Sequence, residues 1–471
     1  MSTNELISEV LDGPVARNGV GPDANVKRPT DAGNAARFAE QHCDKARYVP
    51  GIGWHVWDGR RWARDATGAV ERLARETARG VFAEAHAATG EDARKALGSW
   101  ALKSESEPRL RACLTLAATE EPLIALADEL DSHPWLLNVA NGTLDLRTGE
   151  LRAHDRGDRL TKLADTAYDP GARSERWERF LVETTGGDVE LLSFLRRAAG
   201  YTLAGDPCEE VVLFAHGPAA AGKSTFVEAL RATLGDYATT ADFGTFLAGN
   251  HGVRNDLARL AGARMVLASE VVAGSRFDAA TLKAMTGRDT IAARFLYREA
   301  FEYRPAFTLW LAANDRPAID ADDDAAWRRM RALPFLSSVP AERRDPDLKR
   351  ALTDDPHERA AVLAWAVRGC LEWQHDGFAP PASVTGYTDG YRRENDPLAD
   401  WLAAACQIEE TARATGSELR RSYERWCTDS GDQAIDTRAF AAALRSHGCR
   451  GVRTKSARVW LGIALKVTGD A

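Results

Sequence analysis

The chain has 471 residues, too many for a single compact core, and about three domains is the reasonable expectation. Its composition, 44% hydrophobic and 28% charged, is that of a soluble globular protein, and no run approaches the ~18 apolar residues of a membrane span. A formal net charge of −8 excludes a protein basic over its whole surface that coats nucleic acid, while leaving room for a local basic patch or a charged pore.

The seven cysteines are scattered and form no C-x-x-C, which argues against a zinc ribbon or finger and suits reduced thiols. Residues Met1 to Val10 carry acids and no apolar core, so no signal peptide is expected. A cytoplasmic protein without membrane contact is the resulting expectation.

Residues 1–30 hold Gly, Pro, Asn and Asp without periodicity and predict a disordered arm. From about Asp31 the pattern is helical. Gly51 to Trp62 predicts a hairpin about Asp58-Gly59, and helices follow over about Val70–Ala88 and Glu91–Ala127. Leu136 to His154 reads as a small β-meander with an Asn141-Gly142 turn. Trp177 to Ala199 reads as a helical pair broken at Gly186-Gly187. The span 31–205 is thus one mixed helical and β-meander region.

The next block, 206–378, alternates strand-like runs (Val211–Ala215, Arg264–Glu270, Ile291–Tyr297, Phe307–Asn314) with helices. That alternation predicts an α/β nucleotide-binding core with a largely parallel sheet. The Pro-rich stretch 379–391 reads as a linker. Residues 392–471 give three helical runs and then strand-like pieces, the order of a winged helix.

Gly217-Pro218-Ala219-Ala220-Ala221-Gly222-Lys223-Ser224 fits G-x-x-x-x-G-K-[ST], the phosphate-cradling P-loop. It lies between an apolar strand-like run and a helix-like run that begins at Thr225, the context the motif requires. The glycines let backbone N–H groups approach phosphates, and the helix N-terminus adds its positive dipole end. Lys223 would reach the β- and γ-phosphates, and Ser224 would hold Mg²⁺. ATP and magnesium are therefore the expected cofactors.

An ATPase of this kind also needs an acid to activate water, a polar group beside the γ-phosphate and, in rings, an arginine from a neighbour. Glu270 ends the Met265–Ser269 run and is the candidate acid. Ser269 stands where a second acid is usual, which leaves more of the magnesium to Ser224. Asn314 ends the Phe307–Ala313 run as candidate sensor, with a turn-forming Asn-Asp as the plain alternative. Arg328 and Arg329 are both candidate fingers, although a solvated basic face pairing with Asp320 to Asp324 is also open. Between Glu270 and Asn314, Lys283, Arg294, Tyr297 and Arg298 lie on or near a predicted hairpin whose aromatics and arginines suit a single-strand track, although an ordinary surface hairpin is also open.

The order P-loop, strand ending in Glu270, Lys283-x-x-x-Gly287-x-Asp289 with a hairpin, strand ending in Asn314, then Trp327-Arg328-Arg329 resembles superfamily 3 helicases. It is closest to the phage and plasmid primase-helicases related to the poxvirus primase-helicase. Upstream, Asn141 to Leu151, Leu160-Thr161-Lys162, Tyr168-Asp169-Pro170 and Trp177 to Phe180 resemble the family's helicase-associated region. Tyr423 to Trp426, Phe440 and Trp460 to Ile463 resemble its C-terminal winged-helix module. The resemblance implies an AAA+-like fold, a ring that is usually hexameric, and ATP-driven movement along one strand of single-stranded or forked DNA. It implies phosphate binding at Gly217, Gly222, Lys223 and Ser224, water activation at Glu270, sensing at Asn314, and a finger at Arg328 or Arg329. It implies DNA contact over about Arg294 to Arg304, with Lys283 nearby.

The front of the chain holds no cysteine-rich module and no clear D-x-D pair, so a helicase acting with a separate primase is expected. An origin-remodelling or loader ATPase without unwinding, a P-loop small-molecule kinase, and a DNA-binding regulator that only binds nucleotide stay open as alternatives.

Overall fold

The computed structural model describes residues 27–248, 255–269, 274–294, 300–453 and 458–466. Two compact units divide it, Met1–Leu130 and Asp131–Ala471.

In the first unit the Asp31–His42 helix is capped by Thr30 and buries Phe38. The buried Arg37 on this helix pairs with Glu84 at 2.7 Å. The predicted hairpin is a three-stranded antiparallel sheet, β1 (Ala46–Val49), β2 (Gly53–Trp57) and β3 (Trp62–Arg64). Its second turn is closed by the Asp58 carboxylate, which accepts from the amides of Arg60 and Arg61. The Ala69–Ala87 helix follows as expected. The long helix predicted to Ala127 is instead two, Glu91–Ser104 and Glu107–Ala117, the second with Pro108 in its first turn. Proline has no N–H to continue a helix but suits its start, so the chain restarts there.

The second unit opens with the meander β4 (Leu136–Val139), β5 (Gly142–Asp145) and β6 (Glu150–Arg152). The Glu175–Thr185 and Val189–Leu203 helices come next, and Gly186 ends the first in a left-handed cap. Then come β7 (Val212–His216), β8 (Ala238–Asp242), β9 (Met265–Ser269), the β10 (Ile291–Arg294) and β11 (Ala300–Tyr303) hairpin, β12 (Thr308–Ala313) and β13 (Met330–Pro334). Five of these form one sheet in the order β13-β7-β12-β9-β8, every neighbour parallel.

Strand β12 lies at the centre with all six residues buried, the continuous apolar run expected of a strand covered on both faces. Side chains alternate between two cores. Leu213, Leu267 and Trp310 face one that also holds Trp177, Phe226 and Trp365. Phe214, Val266 and Leu309 face another with Phe277, Trp327 and Tyr391.

The first core crosses the boundary expected between 205 and 206. Leu137 and Leu144 of the meander and Phe194 of the Val189–Leu203 helix share it with the sheet. Arg264, just before β9, ties the parts together. Its guanidinium is buried and donates to the carbonyls of Leu203 and Leu136, both at 2.6 Å, while lying 4.7 Å from the Tyr237 ring centroid. The Val189–Leu203 helix also crosses the Pro356–Asp376 helix at a pair of glycines. A Cβ on Gly200 would lie 2.0 Å from the Cys370 amide nitrogen, and one on Gly369 would lie 1.9 Å from the Arg196 carbonyl oxygen.

The stretch 379–391 is not the linker expected. Ala382–Glu394 is a helix that begins directly after Pro381. It packs on β13, its Thr388 hydroxyl accepts from the Ala332 amide at 3.0 Å, and its buried Tyr391 donates to the Pro317 carbonyl. Beyond it lie the Ala399–Ala405, Gly416–Ser430 and Thr437–Ser446 helices, with the short strands β14 (Cys406–Gln407) and β15 (Arg413–Thr415) between the first two. The strands β16 (Arg450–Arg453), β17 (Arg458–Leu461) and β18 (Ala464–Leu465) follow. Strands β15, β17 and β16 make one antiparallel sheet. Trp401, Tyr423, Phe440 and Trp460 fill a separate core beneath it.

Candidate active site

Strand β7 runs into the glycine loop, and the loop into the Lys223–Leu234 helix. The loop takes its shape from close packing. A Cβ on Gly217 would sit 1.8 Å from the Phe335 carbonyl oxygen. A Cβ on Gly222, where φ is +86°, would meet the Thr184 hydroxyl at 2.4 Å and the Phe180 ring at 2.9 Å. Ala220 holds φ +60°, the left-handed conformation, without being glycine. Pro218, Ala219 and Ala220 are exposed, Ala221 is buried, and Thr225 is half-buried. The Glu175–Thr185 helix thus buttresses the loop from below.

Lys223 is 5% exposed, and its Nζ donates to the carbonyls of Gly217 and Pro218, each at 2.7 Å. Burial holds its pKa below the ordinary lysine value. The helix it opens has Gly222 as N-cap and no side-chain cap, so its first amides are offered outward with the positive end of the dipole.

Parallel strands put the tips of β7, β9 and β12 at one end of the sheet. A cavity of about 430 Å³ there is lined by Lys223, Ser224, Ser269, Asn314, Asp315 and Lys349, among others. Ser224, Ser269 and Asn314 are exposed into it. Glu270, the candidate acid, lies outside the described residues, as do Tyr297 and Arg298. The uncapped helix start, the exposed loop backbone and a desolvated lysine fit a phosphate chain. Two serine hydroxyls fit a Mg²⁺ ion held mostly by phosphates and water. Among the described residues no group of three or more His, Cys, Asp or Glu could hold a metal by itself.

The two candidate fingers part company. Arg329 is buried; its guanidinium donates to Glu210 at 2.7 Å and to the Ala325 carbonyl at 3.0 Å. Arg328 is exposed, with no ion pair among the described residues. Both precede β13, whose Met330 and Pro334 pair with Val212 and His216 of β7. They therefore sit at the end of the sheet opposite the loop, a strand length of ~16 Å away, and cannot serve their own cavity.

Lys283 pairs with Asp323 at 2.8 Å, and Asp323 in turn caps the Asp324–Trp327 helix. Its charge is engaged within the fold and is not presented as a loose basic contact. Arg294 is exposed at the end of β10, and Tyr303 on β11 donates to the Leu257 carbonyl at 2.8 Å.

His216, which sequence reading passed over, ends β7 beside the loop. Its Nδ1 lies 2.6 Å from the Tyr387 hydroxyl. Burial, with the charges of Arg316 and Lys223 nearby, pushes its pKa down to about 4, so the ring is neutral near pH 7. Arg316 stacks over Tyr387 at 4.5 Å and pairs with Glu394 at 2.5 Å. The Ala382–Glu394 helix is thereby fastened to the strand tips. The local signals for this were a histidine ending the strand before the glycine loop and Tyr387 and Tyr391, four apart, on the helix face that meets that strand.

Residues 35–186 match the family model described as "D5 N terminal like", and residues 215–329 match that of a family of unknown function, DUF5906. The chain is 30% identical over 404 residues to "Putative helicase 022R" of Frog virus 3, covering 67% of this chain and 40% of that protein. It is 26% identical over 293 residues to "Putative helicase L207/L206" of Acanthamoeba polyphaga mimivirus, covering 58% of this chain and 30% of that one. The chain thus spans less than half the length of these relatives. Among solved structures, the apo C-terminal region of NrS-1 is similar at a TM-score of 0.43 and 10% identity, over 67% of this chain and 88% of that one.

Proposed function

We propose that the chain is an ATP-dependent DNA helicase or translocase of the superfamily 3 type, with an AAA+-like core and a winged-helix-like C-terminal module. The observation that carries this reading is the convergence of Lys223, Ser224, Ser269 and Asn314 on one cavity at the C-terminal tips of a parallel sheet. Likeness to relatives named helicases supports the same reading.

When bound, ATP with Mg²⁺ supplies a phosphoryl group for hydrolysis. The loop amides and Lys223 hold its phosphates and neutralise their charge. Ser224 donates a metal ligand, and Asn314 orients a water at the terminal phosphate through its amide. Glu270 is proposed as the carboxylate base that takes the water's proton. An arginine at the far end of the sheet serves only a neighbouring copy, which favours a ring, hexameric by analogy; Arg328 is the one of the two presented for that role. Arg294, with Tyr297 and Arg298, is proposed to meet a DNA strand, and a separate primase to supply primers.

The test is ATP hydrolysis with and without single-stranded DNA, with particle mass measured with ATP and strand displacement assayed on a forked duplex. DNA-stimulated hydrolysis by a ring that separates the fork is expected. Hydrolysis by an assembled ring without displacement would point to a loader. A monomer indifferent to DNA would overturn the reading.

A further inference from the structure

We infer that Lys349 is a second intrachain cation for the terminal phosphate of a bound nucleoside triphosphate, and that it distinguishes triphosphate from diphosphate. The inference rests on the nucleotide reading of the cavity.

After β13 the chain follows the glycine loop almost residue by residue. The Phe335 amide donates to the His216 carbonyl at 2.9 Å, and the Phe335 carbonyl closes over Gly217. The Ser338 hydroxyl donates to the Ala219 carbonyl at 3.1 Å, and the Val339 amide to the Ala220 carbonyl at 3.4 Å. Residues 335–339 are thus fixed to the loop. The Leu348–Asp354 helix follows shortly after and is anchored by the fully buried Leu352 against the Lys223–Leu234 helix.

That anchoring puts Lys349 on the cavity wall beside Ser224, Val227 and Glu228. Those three positions share one stripe of the P-loop helix, at i, i+3 and i+4. Ser224 is the proposed metal ligand, so Lys349 is assigned the metal and terminal-phosphate side; Lys349 also borders the groove beyond, with Glu228, Arg231 and Asp354. Lys223, folded back on the Gly217 and Pro218 carbonyls, faces the loop side.

Two carboxylates share the cavity. Glu228 is engaged by Arg231 at 2.6 Å, and Asp315 lies beyond ion-pair distance of Lys349. Lys349 itself is exposed and makes no ion pair among the described residues. An ammonium carried by a packed helix at the mouth of the cavity, with no carboxylate ion-paired to it among the described residues, is an arrangement for an anionic group. In the inferred arrangement a third phosphate would reach toward Lys349, whereas a diphosphate would end nearer the loop.

Binding of β,γ-imido-ATP and of ADP, each with magnesium, to the full chain tests this by calorimetry. Lys349→Ala is expected to weaken the triphosphate analogue about tenfold, the effect of losing one charged hydrogen bond, and to leave ADP within about twofold of wild type. Lys349→Arg should restore most of the preference. ADP binding doubles as the check that the variants are folded. A wild-type preference retained by Lys349→Ala would overturn the inference while leaving the nucleotide reading intact. Failure of the unmodified chain to bind either nucleotide would sink both.

Discussion

At the C-terminal tips of β7, β9 and β12, polar side chains stand exposed around a cavity. At the other end of the same sheet, Arg264 before β9 and Arg329 before β13 are buried and answered by the fold itself. One end leaves helix amides and hydroxyls without internal partners; the other pairs its buried guanidinium charges within the fold, with the Nε atoms of Arg329 and Arg331 left over. The contrast separates the residues proposed to act from the residues that hold the fold. It also shows that an arginine in a motif is not a functional arginine until its partner is known.

The largest effect is expected at the cavity end. Lys223→Ala should lower ATP hydrolysis by about a thousandfold, in the range of losing a preorganised charge at a reacting phosphate, with the thermal midpoint almost unchanged. Steady-state hydrolysis beside a melting curve measures both. At the opposite end the effect should be inverted. Arg264→Met strips donors from the Leu136 and Leu203 carbonyls and should cost about 3 kcal/mol in urea unfolding, because buried acceptors are left unsatisfied. A variant with normal stability would mean that water replaces the guanidinium and that this end is not as closed as its geometry implies.

The two adjacent arginines offer a finer test. Arg328→Ala should leave stability within about 0.5 kcal/mol, as for an exposed side chain. It should lower hydrolysis about a thousandfold, but only in the assembled state, as for a finger acting on a neighbour. Arg329→Ala should instead cost about 1–2 kcal/mol by stranding Glu210, discounted because Glu210 is partly exposed. The reverse outcome would reassign the finger.

The smallest effect concerns His216. Its folded pKa of about 4 lies below the ordinary histidine value of 6.5, so the unfolded chain binds the proton more readily. Its contribution to stability is complete above about pH 6.5 and is lost as pH falls toward 4. Unfolding of wild type and His216→Gln across that window should converge at the acid end. Parallel curves would show that the ring is not buried as described.

What was legible in the sequence was local. The glycine loop, the strand ending at Ser269 and the strand ending at Asn314 each announce themselves within a few residues, and parallel pairing brings them together. Ring contacts and ion pairs are not local. Arg328 and Arg329 are indistinguishable in the chain, because the glutamate that claims one of them lies 119 positions away. The Pro380-Pro381 pair read as a break although proline is as much a helix starter, and the tyrosines that pin that helix touch residues far upstream. Lys349 carries no local signal in its polar segment; only the path of 335–339 along the loop gives it a place.

The Gly200 and Gly369 crossing bears on how the protein can be divided. Two backbones that close have no room for side chains, and the contact is made by chain segments on either side of the expected 205/206 boundary. A fragment starting at residue 206 would keep every motif of the proposed nucleotide site yet bare the groove along Gly369 and Cys370 and the underside of Gly222. Such a fragment should be sticky and inactive, whereas a cut near residue 130 follows the grain of the structure.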